Sequence, residues 1–248
     1  MITLFISTLI SLACAQKNIA ISSAEYRDEK SEQHSADENY KERYGLKDIY
    51  QKAVDNHAKG DARLHGTRNF RNVFHGIMYR GGGGNKYIKP KRNNENPLPT
   101  VGLKNLCEEG FSSAIYLYPT KFDKAPKSVN CVDFKQRHRT LKYYHYTPQT
   151  SEGQRAILQM VFDRITGKAN GPIYSHCWNG WHASGLAAAI SLKQFCGWNG
   201  DQAVTYWERN TDGVLKGYER VRELVRDFSA LPDFQISSDL KEEICPQP

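Results

Sequence analysis

Apolar and polar positions divide the chain into a polar N-terminal stretch and a patterned body. Gly171 to Ser175 reads as a short buried strand, and Leu186 to Phe195 as an Ala-rich helix. Cys177 therefore falls on the turn between them. Further on, Asp201 to Arg209 and Lys216 to Phe228 carry helical amphipathicity, with Val204, Trp207, Leu224, Val225 and Phe228 as expected core anchors. Leu46 to Lys59 has a weaker helical period, suited to docking on a core, whereas Gln16 to Tyr44 is charged, Ser-rich and poor in large aliphatics and reads as a mobile tether. No internal repeat is visible.

Residues 1–15 form an apolar run too short to cross a bilayer, ending in Ala13-Cys14-Ala15. This pattern predicts a signal peptide cleaved before Gln16, although the usual leading Lys or Arg is lacking. A second reading takes Leu12-Ala13-Cys14 as a lipobox, with Cys14 carrying a lipid anchor. Either way the expected location is secreted, periplasmic or on the outer surface, with no transmembrane span. The expected organisation is a signal peptide (1–15), a charged tether with a possible short helix (16–65) and one folded domain (66–248) large enough to bury a core.

The segment His176-Cys177-Trp178-Asn179-Gly180-Trp181-His182-Ala183-Ser184 carries the chemistry. A cysteine between a strand and a helix start meets backbone amides without intrahelical partners and the positive end of the helix dipole, which favours both an anion and a thiolate. Gly180 lets the turn curl, and Ser184 can donate to the sulfur.

This arrangement resembles the signature of the protein tyrosine and dual-specificity phosphatase superfamily, phytase-like branch: His-Cys, two residues, Gly, two residues, Arg, then Ser or Thr. His176, Cys177, Gly180 and Ser184 are in register. Asn72 to Gly84 is similar to the family's first strand, Gly102 to Gly110 to its short helix ending in Gly, Phe111 to Tyr118 to the next buried strand, and Tyr143 to Thr150 to its proton-donor loop. The resemblance implies an α/β fold with a central mixed sheet flanked by helices. It also implies an anionic, phosphorylated small molecule or protein as partner, and Cys177 as nucleophile supported by His176. The anion would be held by Trp178, Asn179, Gly180, Trp181, His182 and Ala183, with Arg80 contributing charge.

Two positions depart from that pattern. Ala183 stands where the family has its bidentate Arg, and losing one such donor typically costs ~10²–10³ in rate. The donor loop has no carboxylate, which leaves His145 as the nearest proton donor, with Asp133 and Glu152 behind it. His182 or a basic residue from another loop would have to replace the Arg.

Export would expose Cys107, Cys131, Cys177, Cys196 and Cys245 to oxidation, an odd number that leaves one thiol over. Pairing Cys107 with Cys131 and Cys196 with Cys245 would join sequence neighbours, yet four cysteines allow three connectivities and buried thiols are the alternative.

The net charge of +7 suits an anionic partner. Two basic stretches, Arg80 to Arg92 and Lys135 to Lys142, are expected near the site mouth. No zinc-finger or aromatic-basic pattern points to nucleic acid. The run Gly81 to Gly84 suggests a mobile loop beside the site. Trp178 and Trp181 would either wall the pocket or brace the turn.

Three readings remain open. The first is a cysteine-dependent phosphatase, and the second an anion- or protein-binding pseudophosphatase. The third is a thiol-imidazole site in which His176, Cys177 and His182 hold a metal, or Cys177 transfers sulfur. No cofactor is expected for the first two, and no metal is assigned to their site.

Overall fold

The computed structural model describes residues 40–89 and 91–248; the expected signal peptide, Cys14 and most of the tether lie outside them. The core is a mixed sheet of six strands in the order β1-β2-β6-β3-β5-β4. The strands are β1 (Thr67–Phe74), β2 (Met78–Gly83), β3 (Ser113–Tyr116), β4 (Ser128–Val132), β5 (His138–His145) and β6 (Ile173–Cys177). The middle strands β2, β6, β3 and β5 run parallel, and antiparallel β1 and β4 close the edges. Helices α1 (Asn85–Ile88), α2 (Thr100–Glu108), α3 (Ser151–Ile165), α4 (His182–Cys196), α5 (Gly200–Arg209), α6 (Glu219–Asp227) and α7 (Ser238–Ile244) complete the expected α/β architecture.

Local chemistry explains most boundaries. Strand β6 is buried along its whole length, as a central parallel strand must be. Helix α4 is almost wholly buried and ends where Gly197 adopts φ +69°. The Thr150 hydroxyl caps α3, and Asn199 with Gln202 forms a capping box on α5.

Two apolar layers cover the sheet. On one face Ile157, Val161, Leu186, Ile190, Trp207 and Val225 pack together. On the other lies an aromatic layer of Tyr40, Tyr44, Phe70, Tyr79, Phe111, Tyr143 and Tyr174, with Phe70 stacked between Tyr79 and Tyr174 at 5.2 and 5.3 Å. Cys107–Cys131 and Cys196–Cys245 are disulfides, the sequence-neighbour pairing among those the cysteine count allowed. No helix among the described residues is long and apolar enough to cross a membrane.

Several expectations need correction. Asn72 to Gly84 is not one strand: Gly76, at φ +71°, turns it into the β1-β2 hairpin. The end of the expected tether is docked, since Tyr40 and Tyr44 are buried and their hydroxyls, with the Arg43 guanidinium, bind Glu109. Leu46 to Lys59 packs on the body without forming a helix. Asp48 and Asp55 capture the amides of Tyr50, Gln51, His57 and Lys59, so local side-chain bonds outcompete helical ones. The same segment pairs with Asn69 and Phe70 and covers the β1 edge. Helix α6 starts at Glu219 rather than Lys216, because Gly217 sits at φ +84°.

The glycine run is not a mobile loop. Gly81, Gly82 and Gly83 are buried residues of β2. The second basic stretch is likewise elsewhere. Lys135 to Lys142 surrounds the start of β5, whereas Cys177 ends the parallel strand β6, so the two lie at opposite ends of the parallel strands. There Arg137 and Arg139 clasp the buried Asp133 instead of a ligand.

Candidate functional site

Strand β6 carries Cys177 to its C-terminal end, and α4 begins at His182 after the turn. Cys177 is the free cysteine among the described residues; it is buried at 5% exposure, with Sγ 3.6 Å from the Ser184 hydroxyl. The N-cap of α4 is Trp181, whose side chain makes no capping bond, so the first helical amides have no side-chain acceptor.

Donors packed around the turn hold its carbonyls. His176 Nδ1 bonds the Cys177 carbonyl at 3.2 Å, Gly83 N–H donates to Trp178 O at 3.1 Å, and Asn69 Nδ2 to Asn179 O at 2.7 Å. The Arg80 guanidinium donates to the carbonyls of Gly180 and Trp181. A trans peptide holds N–H and C=O in opposite directions, so the amides of Trp178, Asn179, Trp181 and His182 face away from these surrounding donors. Backbone amides at a helix start can hold an oxyanion.

Glycines make this approach possible. A Cβ on Gly82 would lie 2.5 Å from the Asn179 carbonyl carbon and 2.6 Å from Gly180 N, while one on Gly180, at φ +79°, would lie 2.6 Å from Gly81 C. Strand β2 thus runs against the turn backbone to backbone.

His176 lies behind the turn. Leu98 N–H donates to the Tyr143 oxygen at 3.0 Å, so the phenol's proton points to His176 Nε2, 2.6 Å away, and Nδ1 carries the ring's proton to the Cys177 carbonyl. Burial pushes this imidazole down to about 3, which keeps it neutral.

Both tryptophans brace the turn: Trp178 Nε1 donates to Tyr116 Oη at 3.0 Å with its ring on Tyr118, and Trp181 Nε1 to Asp212 at 2.7 Å.

Other predicted residues are not brought to the sulfur. His182 stacks on Tyr218 at 3.3 Å and its Nε2 bonds Val214 O at 2.6 Å, while burial lowers its pKa; it does not replace the Arg. Ala183 packs into the apolar layer at 2% exposure. His145 stacks on Phe122 and pairs in register with Tyr116, as His176 does, so it shares the His176 face of the sheet and not that of Cys177. Arg80 is fully buried behind the turn, not at its mouth. His176, Cys177 and His182 point to different partners and do not converge on a metal. Among the lesser proton-donor candidates, Asp133 is at the far edge, whereas Glu152 is exposed in the first turn of α3, just past the end of β5.

Sequence reasoning missed Arg68, Asn69, Arg71 and Asp212. Arg68 Nη1 donates to Asn179 Oδ1, and Arg71 lies 3.4 Å from Asp212. Burial opposes ionisation of Asp212, but Lys52, Arg71 and the Trp181 indole outweigh it and hold the carboxyl below its usual range. No local pattern marks these residues, because the hairpin register and a loop after α5 bring them together.

No protein-family model matches the chain, and no curated protein matches it. Among solved structures it is similar to the core catalytic domain of PP-IP phosphatase SIW14 from S. cerevisiae in complex with citrate. The TM-score is 0.39 and the identity 15%, covering 70% of this chain and 89% of that one.

Proposed function

We propose that this chain is an exported cysteine-phosphatase-like protein that takes a phosphate monoester at Cys177. The observation that carries the reading is the unpaired Cys177 sulfur 3.6 Å from the Ser184 hydroxyl, at an uncapped helix start, while the other described cysteines are in disulfides. In this chemistry the Cys177 thiolate attacks phosphorus, the ester P–O bond breaks, and the departing oxygen takes a proton from solvent water. Water then attacks the cysteinyl-phosphate, the P–S bond breaks, and inorganic phosphate leaves as the thiolate is restored. Oxyanion charge is met by the turn amides and the dipole of α4.

A second reading, oxyanion or partner binding without turnover, is favoured by Ala183, which offers no fork to the transition state. Hydrolysis of a small aryl phosphate by the disulfide-intact protein separates the two. Turnover lost in Cys177→Ser supports the hydrolase. Tungstate binding without turnover supports the binding role, and neither activity would sink both.

A further inference from the structure

Arg71 and Arg80 are register partners on antiparallel β1 and β2, and they are 1% and 0% exposed. Like charges directly opposite one another in a sheet repel, and a buried guanidinium is costly unless it is paired. Arg71 has Asp212 at 3.4 Å, but that carboxylate also serves Lys52 and the Trp181 indole. Arg80 has carbonyls and a hydroxyl as acceptors; no ion pair of Arg80 is found among the described residues, and its Nε and Nη1 have no hydrogen-bond partner. What this arrangement lacks is negative charge behind the cradle.

Ser184 connects that charge to the sulfur. Its Oγ lies 3.4 Å from Arg80 Nη2 and 3.6 Å from Cys177 Sγ. A guanidinium can only donate, so Ser184 accepts from Arg80 and its own proton is free to turn towards the sulfur. A thiolate, which only accepts, is a partner that this proton fits.

We propose that Arg80 is the resident cation of the cradle, a positioning residue that holds Cys177 ionised through Ser184 and the turn carbonyls while position 183 carries no charge. This rests on the reading of Cys177 as the reactive sulfur. The other titratable groups around it are Arg68 on β1, Asp212 beyond Trp181, Tyr116 and Tyr118 at the end of β3, Tyr174 and His176 on β6, His182 on α4 and Tyr218 before α6. Burial keeps both imidazoles neutral and pushes up the phenols of Tyr116, Tyr118 and Tyr174. Arg68 contacts the Asn179 side chain rather than Ser184. Of the nearby cations, Arg80 is therefore the one coupled to the sulfur by a hydrogen-bonded path.

The test is the pH dependence of Cys177 alkylation by iodoacetamide in the folded, oxidised protein, read on the Cys177 peptide. In Arg80→Met the midpoint should rise by about one unit, with a roughly tenfold slower reaction below it. Arg80→Lys should stay near wild type, and Ser184→Ala should shift upwards like Arg80→Met. A folded Arg80→Met protein with the wild-type midpoint overturns the proposal. If Arg80→Met does not fold, an unshifted Ser184→Ala midpoint overturns it instead, and a shifted one with Arg80→Lys unchanged supports it. Alkylation needs no phosphate ester, so an inert protein with a charge-dependent midpoint would sink only the hydrolase reading. An active enzyme with a charge-independent midpoint would sink only the role of Arg80.

Discussion

The phenol of Tyr143 lies 2.6 Å from His176 Nε2, and through that ring it fixes the carbonyl of Cys177. Removing the hydroxyl in Tyr143→Phe leaves both the imidazole nitrogen and the Leu98 amide without a partner in a buried layer. The expected loss is about 2–4 kcal/mol in a urea unfolding curve, because each stranded buried group costs on the order of 1–3 kcal/mol. Unchanged stability would mean that water or another donor reaches this layer.

The approach of β2 to the turn predicts a contrast between adjacent glycines. In Gly82→Ala the new methyl meets backbone atoms at 2.5 to 2.7 Å, so strand and turn must separate. Overpacking of this kind costs roughly 1–3 kcal/mol, and tungstate binding should fall with it. In Gly83→Ala the near neighbour is a side-chain atom, Asn85 Nδ2, and the effect should be smaller. Equal thermal shifts and equal tungstate affinities would contradict this account of the glycine run.

The β6-turn-α4 unit was legible in the sequence because its signals are local: an apolar run, a cysteine, then an Ala-rich stretch. The hairpin was not, since one glycine at positive φ cuts a continuous strand-like pattern at His75 to Ile77. Four glycines together suggest flexibility until a partner backbone is known to lie against them. His145 and His182 were placed by their distance along the chain from Cys177, but strand alternation and the Tyr218 stack decide where their rings go. Arg71, which is buried, and Asp212, which is not, left no trace at all, because their meeting depends on elements far apart in the chain.

Disulfide chemistry should separate structure from function. Reduction releases two closures of 24 and 49 residues in sequence separation, worth roughly 3–4 kcal/mol each in chain entropy. Non-reducing peptide mapping should find Cys107 with Cys131 and Cys196 with Cys245, and Cys177 alkylatable. Dithiothreitol should lower the melting temperature while sparing the Cys177 thiol; a Cys177 peptide crosslinked to any other would contradict the fold of the site.

Asp133 sets part of the acid limit of stability. Burial of its carboxyl opposes ionisation, but the Arg137 backbone N–H and the Arg137 and Arg139 side chains outweigh it and lower the pKa from 3.8 to about 2. A group depressed in the folded state stabilises above its unfolded pKa, so the contribution is complete above about pH 5 and disappears as pH falls towards 2. Its size is about 2 kcal/mol by linkage. Asp133→Asn should remove that pH dependence between about pH 5 and pH 2 in urea titrations. A mutant slope identical to wild type over that range would assign the acid transition to other carboxyls.

Ala183→Arg tests the cradle itself. The side chain at this position begins in the first turn of α4, in the apolar layer that also holds Cys177, and the turn carbonyls are already held by Gly83, Asn69, His176 and Arg80. A guanidinium that reaches over the turn would add a charge-assisted fork to a bound oxyanion, worth about 1.5–3 kcal/mol, or roughly a tenfold to hundredfold gain in tungstate affinity. The gain is opposed by the nearby Arg80 and by the tight packing around Ala183, which should appear as lowered thermal stability without ligand. Recovery of that stability by tungstate, in proportion to the gain in affinity, is the expected signature. A folded Ala183→Arg protein with unaltered oxyanion affinity would show that the amides beside Cys177 do not form an anion cradle.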